Sequence, residues 1–219
     1  MQQPDTDRTG VADRYERVLD PRVMEFLRRS FNLMNKGMVP LWRLGLARMM
    51  NSWPEGSGRI LVLEHVGRKS GAAYRSPVNY ARFDDDVYVL AAFGEKTHWY
   101  RNLLAAPDAA IWMPDGRWLA QAEDASDDPE RLAIVREVLI NSGFVAPMLG
   151  MQPREMSDEA LAEATGMYRL LRLRLVRRED VADGPGTLAW VWPLSGLALL
   201  AVLGLRAVLR KARGPAPEH

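Results

Sequence analysis

The sequence predicts an α+β fold built on an antiparallel sheet that closes into a small barrel. Three observations predict it. Short apolar runs rich in branched and aromatic residues, "RILVLEHV", "AYRSPVNYARF" and "DVYVLAAF", follow one another with only turns between them. "DAAIWM" and "RWLAQAED" flank Pro114, Asp115 and Gly116, and Asp-Gly is a strong hairpin signal. The well-marked helical patterns come late, at 127–143 and 157–168, so strands and helices are segregated rather than alternating.

Taken in order, residues 1–20 form a polar N-terminal segment with no apolar stretch resembling a signal peptide. Residues 21–54 read as helical: Pro21 suits a first turn, and Val23, Phe26, Leu27, Phe31 and Met34 recur every three to four positions. After Gly37 and Pro40 the pattern resumes with Leu41, Trp42, Leu44, Met49 and Met50, and "NSWPEGSG" breaks it. Residues 55–178 carry all the strand signals and form the working domain. In its first late helix Asp127 or Asp128 can cap, Leu132, Val135, Val138 and Leu139 make the apolar face, and Gly143 ends it. Ser157 caps the second, with acids in its first turn. "RLLRLRLV" at 169–176 alternates Leu with Arg and predicts a last strand with one wet face. Residues 179–187 read as a linker, and 188–219 as an apolar helix with a basic tail.

Composition narrows the chemistry. The chain of 219 residues has no Cys, which excludes thiol catalysis and thiolate metal sites. Its three His are scattered without ligand spacing, so no metal site is expected. A net charge of +1 gives no general reason to expect nucleic acid.

One stretch departs from this balance. From His65 to Phe83 there is no acid, while Arg68, Lys69, Arg75 and Arg82 are basic. Gly67 and Gly71 bound a turn between two strands, and such a turn can leave backbone N–H groups free to hold an anion. Arg68 and Lys69 add charge and Ser70 a hydroxyl. The plainer alternative is a hairpin tip charged for solubility. A Ser-His-Asp reading of Ser70 or Ser76 with His65 fails at this level, because nothing nearby in the sequence orients the imidazole. A second stretch, "THWYRNLLAAPDAAIW" at 97–112, offers Trp99 and Asn102 ahead of a strand. By itself it reads as a short helix with Trp99, Leu103 and Leu104 in the core, and Asn102 pinning a neighbouring loop.

Together, G-R-K-S-G with R-x-P after it, a strand ending Ala-Ala, and W-Y-x-N-L-x-A-x-P resemble the deazaflavin-dependent nitroreductase and quinone reductase family, part of the flavin-binding split β-barrel (FMN-binding-like) superfamily. The resemblance spans roughly residues 38–178. It implies an oxidoreductase that uses a reduced deazaflavin, coenzyme F-420, to pass hydride to a quinone, a nitro-compound or another unsaturated small-molecule acceptor. It also implies that Gly67, Arg68, Lys69, Ser70 and Gly71, with Arg75, bind the phosphate and acidic tail, with Lys96 close by. Ser76, Pro77, Ala91 and Ala92 then lie against the ring, and Trp99 and Asn102 support the site. No catalytic side chain is assigned, since the cofactor carries the hydride chemistry. Tyr74, Tyr80 and Tyr100 are candidate donors to a developing oxyanion.

Three departures stand out. Glu64-His65-Val66 replaces a Thr pair common in the family. Arg75 stands one position later than the family's Arg, which on a strand turns it to the other face. Phe93-Gly94 replaces a Ser-Lys pair. An FMN-binding oxidoreductase of the same fold is the alternative, and a non-catalytic membrane-associated flavin or lipid binder is a third. Residues 188–205 carry no charge and reach about 27 Å as a helix, just short of a ~30 Å hydrocarbon core. They are expected either to anchor the protein at the inner face of the cell membrane, with a cytoplasmic cofactor domain, or to pack on that domain. Homodimerisation is compatible with the family resemblance.

Overall fold

The computed structural model describes residues 37–53, 56, 58–181 and 184–212; the expected helix over 21–36 and the segment before it lie outside them. The strands are β1 (Ile60–Val66), β2 (Ala73–Phe83), β3 (Asp86–Ala91), β4 (Asp108–Met113), β5 (Gly116–Asp124) and β6 (Arg169–Glu179). They close into an antiparallel barrel in the order β1-β2-β3-β6-β5-β4. The predicted Asp-Gly hairpin joins β4 to β5, with Met113 opposite Gly116. Residues 37–43 are helical, followed by α1 (Ala47–Asn51). The remaining helices are α2 (His98–Ala105), α3 (Arg131–Ile140), α4 (Val145–Met148), α5 (Asp158–Ala164) and α6 (Val191–Ala212).

The barrel wall is covered on both sides over much of its circumference. Leu61, Leu63, Val89, Ile111 and Leu171 fill the inside with Tyr100 and Leu103 of α2. Tyr88, Leu170 and Ala81 point outward into a layer made by Ile134, Val135 and Val138 of α3 and Leu161 of α5. Outside β1 and β4, Val62 and Trp112 pack on Met38, Trp42 and Ala47. Period-2 alternation should be lost where both faces are dry. β6 shows this in part: Leu170 is buried as fully as Leu171 and Leu173, so the expected wet face is interrupted there, while Arg169 and Arg172 on either side stay partly exposed. Only its second half is exposed, and there Arg174 pairs with Glu123 and Arg177 with Glu179.

Helix ends follow the sequence signals in one case and depart from them in another. Ser157 caps α5 by accepting from the Ala160 N–H at 3.2 Å. Leu132, Val135, Val138 and Leu139 face the outer core as expected, but α3 begins only at Arg131: Glu130, not Asp127 or Asp128, stands at its N-cap, and no side chain caps it. Leu104, expected in the core, is half exposed.

The tail is a helix rooted on the 42–45 turn. The Gly186 and Leu188 N–H groups donate to the Trp42 and Arg43 carbonyls, and the Trp192 indole to Leu44 O at 2.8 Å. Gly45 allows this approach: a Cβ there would lie 3.2 Å from that of Ala189. Beyond the root, Leu194, Leu197, Leu199, Leu200, Val202, Leu203 and Leu205 are all exposed. At about 100° per residue they cover every side of α6. Among the described residues no helix is long and apolar enough to cross a membrane.

Candidate functional site

The β1–β2 hairpin carries the candidate anion turn at one rim of the barrel. Gly67 N–H donates to Ala72 O and Gly71 N–H to Gly67 O, both at 2.8 Å, which folds the tip tightly. Gly71 has φ +67°, a conformation that favours glycine. Gly67 is required for space, since a Cβ would sit 2.6 Å from Ser70 Oγ and from the Tyr74 ring. Ser70 Oγ accepts from the Ala72 N–H and shares a hydrogen bond with the Tyr74 hydroxyl. The Lys69 and Ser70 N–H groups meet no acceptor among the described residues, and the exposed Lys69 side chain meets no acid there. These unclaimed donors make the tip suitable for an oxyanion.

Register explains which side chains join the tip. Residues paired across an antiparallel ladder share a face. His65 pairs with Tyr74 and Leu63 with Ser76, so these four face the barrel interior. The His65 and Tyr74 rings stack at 5.8 Å. Glu64 pairs with Arg75 on the other face. There Arg75 donates to Glu64 at 2.8 Å and lies 4.6 Å over the Trp112 ring, and Arg117 takes the other Glu64 oxygen at 2.7 Å. Arg75 is therefore not brought together with Arg68 and Lys69, and Glu64 adds no negative charge on their side.

Helix α2 supplies Asn102, buried at 5% exposure. Its Oδ1 accepts from the Arg68 backbone N–H at 3.2 Å and from Arg68 Nη1 at 3.0 Å. Its Nδ2 lies 3.1 Å from His65 Nδ1, and His65 Nε2 lies 3.1 Å from Ser76 Oγ. Asn102 thus pins the turn, as its sequence context suggests, and also orients His65. No local pattern signals that second contact, because the partner lies 37 positions away.

His65 is 5% exposed, and burial lowers its pKa from 6.5 to about 4. A group whose folded pKa is depressed stabilises the fold fully above its unfolded pKa and loses that contribution as pH falls toward the folded value. Stability should therefore decline between pH 6.5 and 4. Urea midpoints across that window are expected to fall for the natural chain and to fall less for His65→Gln. Parallel curves would contradict this.

The other candidates are distributed as follows. Pro77 is half-buried and faces away from Ser76, opposite Val62. Ala91 is buried inside the barrel, Ala92 packs on the outer helical layer, and Trp99 packs against the inner core. Lys96 is exposed at the end of the Gly94–Lys96 turn. Tyr100 is committed: its hydroxyl donates to Asp124 at 2.7 Å, and burial with that bond pushes its pKa up to about 12. Tyr80 is a core side chain whose pKa is raised by burial. Tyr74 is 47% exposed beside the turn and, of the three tyrosines, is the one at the site. A cavity of about 500 Å³ opens at the opposite rim, around Pro114–Gly116, lined by Arg48, Arg117, Arg178 and Asp180 among others. It is remote from the Gly67–Gly71 tip. Among the described residues no cluster of His, Asp or Glu could hold a metal.

Fold and site together define a closed antiparallel barrel whose β1–β2 hairpin tip is locked to the helix carrying Asn102. Residues 44–143, which include the tip and Asn102, match the family described as F420H(2)-dependent quinone reductase. It is 41% identical over 71 residues to a Mycobacterium tuberculosis protein, Rv3178, provisionally described as an F420H(2)-dependent quinone reductase. That match covers 31% of this chain and 60% of the relative. Solved structures that it resembles include the heme storage protein HutZ of Vibrio cholerae, with 17% identity, a TM-score of 0.41, and 64% of this chain and 93% of that one covered. An F420 reductase is matched at 16% identity and TM-score 0.37, covering 59% and 94%.

Proposed function

We propose that this protein binds the reduced deazaflavin coenzyme F-420 and uses it to reduce a quinone, with nitro-compounds as a further acceptor class. The observation that carries the reading is the Gly67–Gly71 tip, whose Lys69 and Ser70 N–H groups and Lys69 side chain have no partner among the described residues, inside the segment that matches the family. A phosphate or carboxylate suits that donor set, and F-420 carries both. When bound, the coenzyme supplies a hydride. The chain holds the anionic end at Arg68 and Lys69, keeps the tip rigid through Asn102, and presents Tyr74 and Ser76 beside it. Water is excluded on the inner side by Leu63, Tyr100 and Leu103. The test is a titration with reduced F-420 followed by reoxidation on adding a quinone.

The acceptor class gives α6 a role in this reading. A helix apolar on every side is suited to a non-aqueous surrounding. Trp190 and Trp192 are exposed at its root, and Arg206, Arg210 and Lys211 stand in its last turns. We place the cytoplasmic barrel at a membrane surface, with α6 resting in the lipid interface rather than crossing. Anionic vesicles are expected to co-sediment the full chain, and removal of residues 186–219 to release it with coenzyme binding intact. A truncated protein that aggregates or loses coenzyme would make α6 part of the fold. A full chain that ignores vesicles and runs as a dimer would assign the helix to a second copy.

A further inference from the structure

The hydrogen bonds beneath the turn fix the position of each proton. Arg68 offers two N–H donors and no acceptor, so both must meet Asn102 Oδ1, at 3.2 and 3.0 Å. The amide cannot be reversed without setting donor against donor. Its Nδ2 therefore faces His65 and donates to Nδ1 at 3.1 Å. His65, neutral because it is buried, then carries its single proton on Nε2. That N–H donates to Ser76 Oγ at 3.1 Å. Ser76 receives a hydrogen bond and cannot give one back. Its own hydroxyl proton meets no acceptor among the described residues.

We propose that Ser76 is a ligand-selecting hydrogen-bond donor, its hydroxyl committed to an acceptor oxygen of the bound molecule, with His65 and Asn102 as positioning residues. The geometry superficially matches a Ser-His-Asn hydrolytic relay, but its polarity is opposite. Nδ1 is blocked by an amide donor, so His65 cannot take the serine proton, and Ser76 is not a nucleophile. For the same reason Ser76 cannot deliver its proton through His65, because the ring has no site at which to regain one. It donates a hydrogen bond and no proton. Ser76 shares a face with His65 and Tyr74 and sits on β2 just beyond the anion tip. A ligand held by its anionic end at Lys69 would bring a more distant part to Ser76, and a ring carbonyl fits such a donor. The ring's identity rests on the function proposed above; the proton assignment does not.

Two measurements test this on the full chain. Nitrogen NMR of the imidazole-labelled protein at neutral pH should show His65 Nδ1 unprotonated and Nε2 protonated. Asn102→Asp should invert this, because a carboxylate accepts from Nδ1–H. A protonated Nδ1 in the natural chain, or labelling of Ser76 by a fluorophosphonate, would overturn the proposal. Second, Ser76→Ala should weaken binding of F-420 and of its tail-less 8-hydroxy-5-deazaflavin chromophore equally, by about tenfold from one hydrogen bond, while Ser76→Thr retains it. Unchanged binding by Ser76→Ala would sink the inference. If the natural chain binds neither deazaflavin, the function proposed above falls, and the NMR result still decides the polarity of Ser76.

Discussion

Replacing Asn102 with Ala is expected to lower the melting temperature by roughly 6–12 °C and to weaken coenzyme binding strongly in the same protein. The side chain is 5% exposed and makes three hydrogen bonds, two to Arg68 and one to His65. Truncation leaves the Arg68 N–H and His65 Nδ1 without partners where water is scarce. Each such group costs about 1–3 kcal/mol, so about 3 kcal/mol is expected, and for a chain of this size each kcal/mol shifts the midpoint by about 2–4 °C. From sequence alone Asn102→Ala should affect affinity more than stability; the His65 contact adds a stability cost that the sequence does not reveal. Thermal melts and a coenzyme titration on one preparation check both. A melting curve identical to that of the natural chain would mean that the network is not intact in solution.

The double replacement Arg68→Ala with Lys69→Ala should reduce F-420 affinity by about 10²–10⁴-fold, as two charge-assisted contacts are worth about 3–6 kcal/mol. The two residues contribute differently. Arg68 also donates through Nη1 to Asn102, so its loss loosens the turn as well as removing charge. Lys69 is exposed on the tip. Lys69→Ala alone should therefore weaken binding by about tenfold with an unchanged melting temperature, and more at low salt than at high salt. Binding of the tail-less chromophore should be indifferent to it. Normal F-420 binding by the double variant would show that the anion is held elsewhere.

Local signals made much of this molecule legible. Branched runs separated by Gly and Asp-Gly turns gave β1 to β5, and Ser157 gave the start of α5. Gly67 and Gly71 were readable because the tip needs a close approach at one and positive φ at the other. The fate of Arg75 was foreseeable from parity alone: one position along β2 changes the face, and there it meets Glu64. What escaped were contacts between distant segments. The link from Asn102 to His65 joins α2 to β1, and no spacing rule connects them. The burial of Leu170 on the outer face of β6 depends on α3 and α5 packing outside the barrel, which a Leu/Arg alternation cannot disclose. The tail was read as apolar and helical, yet its exposure on all sides follows only from its rooting at Leu44.

In the proposed function the Gly67–Gly71 tip and the barrel beside it hold a reduced deazaflavin for quinone reduction. The most direct test is to titrate the purified full chain with reduced F-420, FMN and FAD, then add a quinone and follow coenzyme reoxidation. Saturable binding of F-420 in preference to both flavins, with reoxidation that depends on the quinone, is the predicted result. Preference for FMN, or tight F-420 binding with no turnover of any quinone, would contradict it.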